Sequence, residues 1–403
     1  MSPKVIISGA GITGLVAALY CHSQGVDCEV YESRSVAGGI LQDWLREGDW
    51  FFRNCQYVSP GTAWFDLLPK QLLQTFPHTY GSFTDLWGEP CAFKGFAGPV
   101  YSGKTNLEPI KQRTFTSLAE RLGSYPRLIS RALLAWVERF NLDPMALHHS
   151  GALGLQVSKV FPLYHGPEVL TYKKTNKAAD EMYGLPRSYF GLAPALAALP
   201  SAGFSEFFRQ IENHLREIGV PLRLNNTVKT DFIGQAQFAT ERPPVLWTGN
   251  PTPLVKNQCN YRLESPSFKM LNVVMKWDCS VCENPYYIQV FSKDIPITRI
   301  FIYFNKATVE CMDDGSATAA IVSSSIEILR LFGFEKIGVP LNSFQFSERR
   351  YFLTSVDDFN LLRNMVEGPE FPSWIPAPWH RYGRDVKIEM IMDSLNKRLC
   401  LKN

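Results

Sequence analysis

The sequence predicts an α/β fold: a dinucleotide-binding unit of parallel strands, a helical insertion, and a second, antiparallel sheet. Three observations predict it. The stretch VIISGAGITGLVAALYCHSQGVDCEVYE (5–32) reads as strand, glycine turn, apolar helix, strand and acid. Residues 116–140 and 201–218 carry apolar side chains at helical spacing. From Leu271 to Phe304 the pattern alternates in three runs, LNVVMKW, YYIQVF and ITRIFIYF, as half-buried strands require.

In the first unit, Val5, Ile6 and Ile7 form the β-branched run of a buried parallel strand. Gly9, Gly11 and Gly14 follow in G-x-G-x-x-G spacing, with Ile12 and Thr13 inside the motif. Gly9 allows the tight turn, Gly11 lets a pyrophosphate approach the backbone, and Gly14 lets helix and strand pack closely. The helix to Ser23 presents free N–H groups and a positive dipole end to an anion. Gly25 stops it. Glu32 ends the second strand, where a carboxylate accepts hydrogen bonds from ribose hydroxyls and repels a 2′-phosphate. Strand, helix and acid together separate a dinucleotide site from a bare glycine turn. The continuation Glu32-Ser33-Arg34 and Gly38-Gly39-Ile40 resembles the E-x-R-x-x-x-G-G extension of FAD enzymes of the glutathione-reductase type. That resemblance implies a Rossmann-like FAD-binding domain, FAD as the cofactor in preference to NAD, and Arg34 and the Gly38-Gly39 backbone lying along it.

The chain has 403 residues, 45% of them hydrophobic, enough for two or three domains with cores of their own. A formal net charge of +3 with no basic stripe argues against nucleic acid. No apolar run reaches bilayer length, and the N-terminus leads directly into a strand, so a cytoplasmic protein without signal peptide or membrane contact is expected. Nine scattered cysteines point to free thiols in a reducing compartment. The pair Cys279 and Cys282 lacks the further ligands that zinc needs, and the adjacent His148 and His149 do not share a helix face, so no metal is expected.

Asp43 to Val58 mixes aromatics with Arg53, Asn54, Cys55, Gln56 and Tyr57. It reads either as the segment crossing a flavin ring, with Asn54 and Tyr57 at its rim, or as an ordinary buried hairpin. Further on, 63–73 reads as helix, 79–101 as short strands and loops, and 116–140 as a helix split at Gly123 and Pro126. A helix over 201–218 closes at Gly219. A strand pair over 221–230 would bring Val228 beside the adenine, as in FAD enzymes of this type. A return strand ends at Thr248-Gly249, 317–328 reads as one more strand, and 381–399 as a turn and an amphipathic helix. The domains expected are 1–60, 200–255 and 370–403 for FAD, 61–150 as a mainly helical insertion, and 151–199 with 256–369 as a sheet-containing substrate domain.

Five later segments resemble, in order, those of UDP-galactopyranose mutases within the flavin amine oxidase superfamily: LPSAGFSEFF from Leu199, VLWTGNPTPLV from Val245, PITRIFIYF from Pro296, YFLTSVDDFNLLRNM from Tyr351 and WHRYGRDVKIEM from Trp379. The resemblance implies Arg381 near the flavin, and Glu389 and Met390 opening the helix aimed at the flavin's pyrimidine end. It also implies Arg187, Arg299 and Tyr351 at the substrate, the arginines because a guanidinium fork suits a diphosphate. The sequence departs from the mutases at Phe52 to Val58, where both histidines of their G-x-H-x-F-H-T loop are missing. His380 also replaces a turn glycine, and Asp385 and Lys387 replace tyrosines. The flavin itself is then the reactive group, with Arg381, Asn54 and Tyr57 as the side-chain candidates beside it. Two activities follow, and the shared segment order, which runs to the C-terminus, favours the first. One is mutase-like chemistry at flavin N5 on a nucleotide sugar or related glycosyl compound. The other is an amine-oxidase-type oxidoreductase taking hydride from a small molecule. A flavoprotein without catalysis is a third reading. A small-molecule partner is expected, and a homodimer stays open.

Overall fold

The strand read from Val5 to Ile7 is β1 (Lys4–Ser8), and both residues are fully buried because helices cover the sheet around it. The computed structural model describes residues 4–69, 74–86, 90–94, 114–155, 157, 171, 173–183, 198–229, 243–264, 268–335, 337–350, 354–368, 374–381 and 383–399. β1 is the middle of a five-stranded parallel sheet with β2 (Asp27–Tyr31), β9 (Leu222–Arg223), β10 (Val245–Trp247) and β16 (Trp374–Pro376), in the order β16-β10-β1-β2-β9. Strand order reverses at β1, between β10 and β2. In open parallel sheets a ligand crevice lies at such a switch, beyond the carboxyl ends of the strands.

α1 (Ile12–Ser23) follows β1 and is apolar almost all round, because the C-terminal helix α10 (Arg384–Leu399) covers the side that the sheet leaves open. Ile388, Ile391 and Leu395 supply its buried face, and Tyr20 Oη lies 2.6 Å from Asn396 Oδ1. α6 (Gly203–Glu217) has Phe204, Phe207, Phe208, Ile211 and Leu215 on one stripe, each burial contributing about 1.5–3 kcal/mol. Its first N–H groups, those of Phe204 and Ser205, donate to the Asp43 carboxylate at 3.0 and 2.8 Å. Asp43 stands on the hairpin of β3 (Asp43–Arg46) and β4 (Asp49–Phe52).

The second sheet has seven strands in the order β15-β11-β14-β13-β12-β6-β7. They are β6 (Thr79–Thr84), β7 (Cys91–Lys94), β11 (Phe268–Lys276), β12 (Tyr286–Phe291), β13 (Ile297–Tyr303), β14 (Lys306–Met312) and β15 (Asn342–Arg350). All pairings are antiparallel except that of β12 with β6. β6 and β7 come from the stretch expected to be a mainly helical insertion. That stretch also supplies α2 (Leu118–Gly123) and α3 (Arg127–Glu138), broken at Gly123–Pro126 as the sequence suggested. β5 (Thr75–Pro77) pairs with β8 (Ala198–Pro200), and α4 (Gly151–Gly154), α5 (Lys177–Met182), α7 (Thr252–Cys259) and α9 (Val356–Glu367) complete the order.

Three local readings are corrected. Residues 317–328 belong to a helix, α8 (Thr318–Leu331). Their serines and β-branched residues suggest a strand, but Ile321, Ser325, Ile328 and Leu329 recur at helical spacing and pack on β11, β13 and β15. Ser325 satisfies its buried hydroxyl on the Ile321 carbonyl at 2.7 Å. The helix expected over 63–73 is, in its described part, one 3-10 turn at Phe65–Leu67, because Pro69 ends it. The strand pair expected over 221–230 is a single short strand, β9, ended by a turn in which Asn225 takes φ +55°. Every cysteine among the described residues is free, and no helix there is long and apolar enough to cross a membrane.

Candidate functional site

The crevice beyond β1 is built from glycine. A Cβ on Gly14 would stand 1.9 Å from the Gly9 carbonyl oxygen, and one on Gly38 would stand 2.7 Å from Phe208 and 2.8 Å from the Leu41 oxygen. Gly39 meets Gly11 Cα at 3.1 Å by the same measure, and Gly11 is otherwise open. Gly9 holds φ +108°, a conformation that glycine alone adopts without strain. The two glycine turns are tied together, since Gly38 N–H donates to the Ala10 oxygen at 2.8 Å. Thr248 closes the floor, its hydroxyl donating to Ser8 O at 2.9 Å with Gly9 O at 3.2 Å. Thr13 stands in the first turn of α1. Behind it Gly249 O accepts from Trp379 Nε1 at 2.9 Å.

Glu32 is buried at the end of β2. Its carboxylate accepts the N–H of Ala10 at 2.8 Å and that of Arg34 at 3.0 Å, with Ser33 Oγ at 3.2 Å. Two carboxylate oxygens offer about four acceptor sites, so capacity for ribose hydroxyls remains. Val228 packs with Val245 and Trp247 beside Tyr31. Ile40 is 54% exposed at the rim, an apolar side chain that a bound ring system would cover. Glycines that leave no room for a Cβ, a carboxylate with acceptor capacity and an exposed apolar rim fit a dinucleotide.

From this cradle a wall of side chains runs to the seven-stranded sheet. Asn54, itself buried, donates to Ile40 O at 3.0 Å. The sheet grips the backbone of 50–55 with side chains. Lys306 Nζ donates to Trp50 O at 2.9 Å; Tyr303 Oη accepts the Phe52 N–H at 3.0 Å, and Thr308 Oγ1 donates to Phe52 O at 2.7 Å. At Cys55, Glu310 Oε1 accepts the N–H and Arg299 Nη1 donates to the carbonyl, both at 3.0 Å. Arg299 Nε lies 3.2 Å from Glu310 Oε2. Burial opposes the Arg299 charge, but Glu310, together with Tyr287, Cys55 and Tyr80, outweighs it and the guanidinium pKa is raised. Arg299 is therefore held inside the protein by Glu310 and Cys55.

Tyr57 meets a cluster of rings. Tyr80 and Tyr287 stack at 4.7 Å, with Tyr57 5.9 Å from Tyr287 and 5.2 Å from His78. Desolvation brings His78 down to about 4, and raises both Tyr80 and Tyr287, so this face is uncharged near neutrality. On its other side Tyr57 lies 5.9 Å from the Arg384 guanidinium, which also covers Trp64 at 5.8 Å.

Buried imidazoles recur nearby. His380 is 0% exposed, with no hydrogen bond on either ring nitrogen, and His148 stacks on Phe359. Desolvation, then the charges of Arg381, Arg363 and Lys387, take His380 down to about 4. Desolvation, then His149 and Arg363, take His148 to about 3. A histidine with an unfolded pKa near 6.5 and a depressed native one binds protons on unfolding, so stability is full above about 6.5 and falls as pH drops towards 4. Denaturant titrations should show a loss on the order of 2 kcal/mol between pH 7 and 5 for each such histidine, with one histidine's share missing in the His380→Gln variant. A flat profile would contradict the buried neutral rings.

A sequence profile for the NAD(P)-binding Rossmann-like domain matches residues 7–71. Comparison with curated protein sequences returns no match. Solved structures match over the whole chain. A reduced UDP-galactopyranose mutase aligns with 100% of this chain and 95% of its own at 12% identity and TM-score 0.65. Cyclohexylamine oxidase from Brevibacterium oxydans aligns with 98% and 100%, at 12% identity and TM-score 0.58. A putrescine oxidase variant aligns with 100% of each chain at 11% identity and TM-score 0.56. This chain has the flavin amine oxidase fold. At such identities the likeness is one of fold, and the site must be argued from its own residues.

Within the flavin amine oxidase fold of this chain, Gly9 to Gly14, Glu32 to Arg34, Gly38 to Ile40, Thr248 and Gly249 gather at the crevice, and Asn54 and Tyr57 continue it. Arg187 and Tyr351 lie outside the described residues. Arg381 does not turn inward: its side chain is 49% exposed and lies 3.7 Å from Glu367. α10 begins at Arg384, so Met390 falls in its second turn and does not open the helix, and Glu389 faces solvent. The inward arginine is Arg384, three residues beyond the one the sequence suggested. Its signal was the dipeptide Gly383-Arg384, with Gly383 at φ +96° marking the true turn. Glu310 was missed; a glutamate in the strand KATVECM, across from Arg299, was its legible sign. Among the described residues no three His, Cys, Asp or Glu side chains gather as a metal site.

Proposed function

We propose that the protein is an FAD-dependent oxidoreductase that takes hydride from a small molecule seated against the uncharged ring cluster of Tyr57, Tyr80, Tyr287 and His78. The observation that carries the choice is Arg299. The arginine expected to hold a substrate diphosphate is engaged by Glu310 and the Cys55 carbonyl. FAD, when bound, supplies the hydride acceptor. The chain's part is binding and orientation: Glu32 for the ribose, the N-terminus of α1 and the glycine backbones for the pyrophosphate, and the segment Asn54 to Tyr57, clamped by the large sheet, for the wall of the reacting end. The ring face offers no group charged near neutrality, which suits hydride removal from an apolar carbon centre.

A second reading is redox-neutral chemistry on a nucleotide sugar, supported by end-to-end likeness to a mutase in fold. One experiment separates them. The yellow protein is mixed anaerobically with panels of amines and alcohols, and after dithionite reduction with UDP-galactopyranose and other nucleotide sugars. Bleaching of the oxidised flavin by an amine or alcohol is the expected result. A sugar isomer formed only with reduced flavin would replace this reading with the second. Protein purified without any flavin would refute both.

A further inference from the structure

The seven-stranded sheet ends on one side in a long, regular strand. β15 pairs with β11 over nine residues in unbroken register, from Arg350 opposite Phe268 to Asn342 opposite Lys276. Among the described residues no strand pairs with its outer edge. Such an edge presents alternate N–H and C=O groups outward, and proteins blunt it with short length, Pro, Lys, a bulge or an inward charge. The opposite edge, β7, has four described residues. β15 reads NSFQFSERR, with no Pro, no Lys and no bulge. Its one acid, Glu348, is ion-paired with Arg53 and so is not a bare charge.

The side chains of β15 alternate. Asn342, Phe344, Phe346 and Glu348 lie on one face and are half-buried; Ser343, Gln345 and Ser347 lie on the other and are exposed. Trp44 of the β3–β4 hairpin holds both phenyl rings, at 6.1 and 4.7 Å, and Arg46 and Arg53 lie over them at 5.3 and 5.7 Å. Rings already fixed in this way lose little freedom when something covers their remaining surface. Val339 and Leu341, which lead into the strand, are 86% and 64% exposed.

The strand is its own complement. Antiparallel pairing about a two-fold axis at Gln345 sets Phe344 against Phe346 of the second copy, Asn342 against Glu348, and Ser343 against Ser347. The symmetry repeats each of these pairs, and each keeps to a single face of the sheet. An aromatic pair, an amide facing a carboxylate and a pair of hydroxyls are cross-strand combinations that stabilise a sheet. A shift of two residues either way sets a phenyl ring against Glu348 or Asn342 instead.

We propose that the protein forms a homodimer edge to edge through β15, with Gln345 on the two-fold axis and the two large sheets continuous across it. Main-chain hydrogen bonds supply affinity, and the Phe344–Phe346 pairs fix the register.

The test is sedimentation velocity over a dilution series. It is run on the whole 403-residue chain, on Ser343→Lys with Ser347→Lys, and on Ser343→Lys with Ser347→Glu. The proposed register sets two like-charged pairs across the interface in the first variant and two opposite-charged pairs in the second. The wild-type chain should dimerise reversibly. The dissociation constant should rise about tenfold in the lysine–lysine variant and return close to the wild-type value in the lysine–glutamate variant. Thermal melting checks that each variant folds. Hydrogen exchange on the wild-type chain at two concentrations needs no variant, and amides of 342–350 should gain protection at the higher one. A wild-type chain that is monomeric throughout, or equal dissociation constants in the two variants, overturns the interface. Protection of 342–350 that does not change with concentration also overturns it, and in a monomeric chain would give the edge to another segment of the same molecule.

Discussion

Gly14→Ala is expected to abolish flavin retention and to destabilise the chain by about 3 kcal/mol, the upper end for overpacking, because the added methyl meets backbone. Its Cβ would lie 1.9 Å from the Gly9 oxygen and 3.1 Å from Thr248 Oγ1. Neither neighbour is a flexible side-chain end. Gly9 is fixed by its turn, and Thr248 is bonded to Ser8. α1 must therefore lift from β1, and its free N–H groups move away from the pyrophosphate. The measurement is visible flavin absorbance per mole of purified chain, with thermal melting alongside. Gly25→Ala is the control. Gly25 also has positive φ, +70°, but nothing lies within 4 Å of its added methyl. That variant should lose about 1 kcal/mol from left-handed backbone strain and keep its flavin. Equal flavin content in both variants would show that the glycine cradle does not bind the cofactor.

The cradle was legible because its logic is local. Gly9 to Gly14, Glu32 and Gly38-Gly39 lie within about 30 residues, and each requirement falls on a residue type that spacing alone reveals. The alternation of β11, β12 and β13 was legible for the same reason. α8 was misread because Ser and Ile suit strands by composition, and only its packing against three strands decides for a helix. Arg381 was preferred to Arg384 because a resemblance in segment order does not fix register to a single residue. Three residues is nearly one helical turn, yet here it separates a half-exposed arginine from one lying over Tyr57 and Trp64. The role of Arg299 was illegible for a further reason. Whether an arginine is free depends on what stands across the ladder, and Glu310 faces it from β14.

That pair supports the second large prediction. Glu310→Ala should cost about 3–5 kcal/mol, because it leaves a buried guanidinium without its counter-charge. Glu310 is 0% exposed, and its carboxylate also accepts the Cys55 N–H, which would become an orphan donor. Arg299→Met with Glu310→Leu removes both charges and leaves apolar volume between β13 and β14. In other proteins such replacements are often neutral or stabilising, so the double variant should melt well above Glu310→Ala. Stability and function then come apart. The pair is the clamp on both polar groups of Cys55, and through Asn54 it positions the wall that starts at Ile40. The double variant should therefore recover folding and still bind flavin weakly, with the Asn54 to Tyr57 segment more open to proteolysis and hydrogen exchange. Recovery of flavin affinity together with stability would mean that the pair serves only the fold. An arginine engaged in this way shapes the site through the backbone it holds.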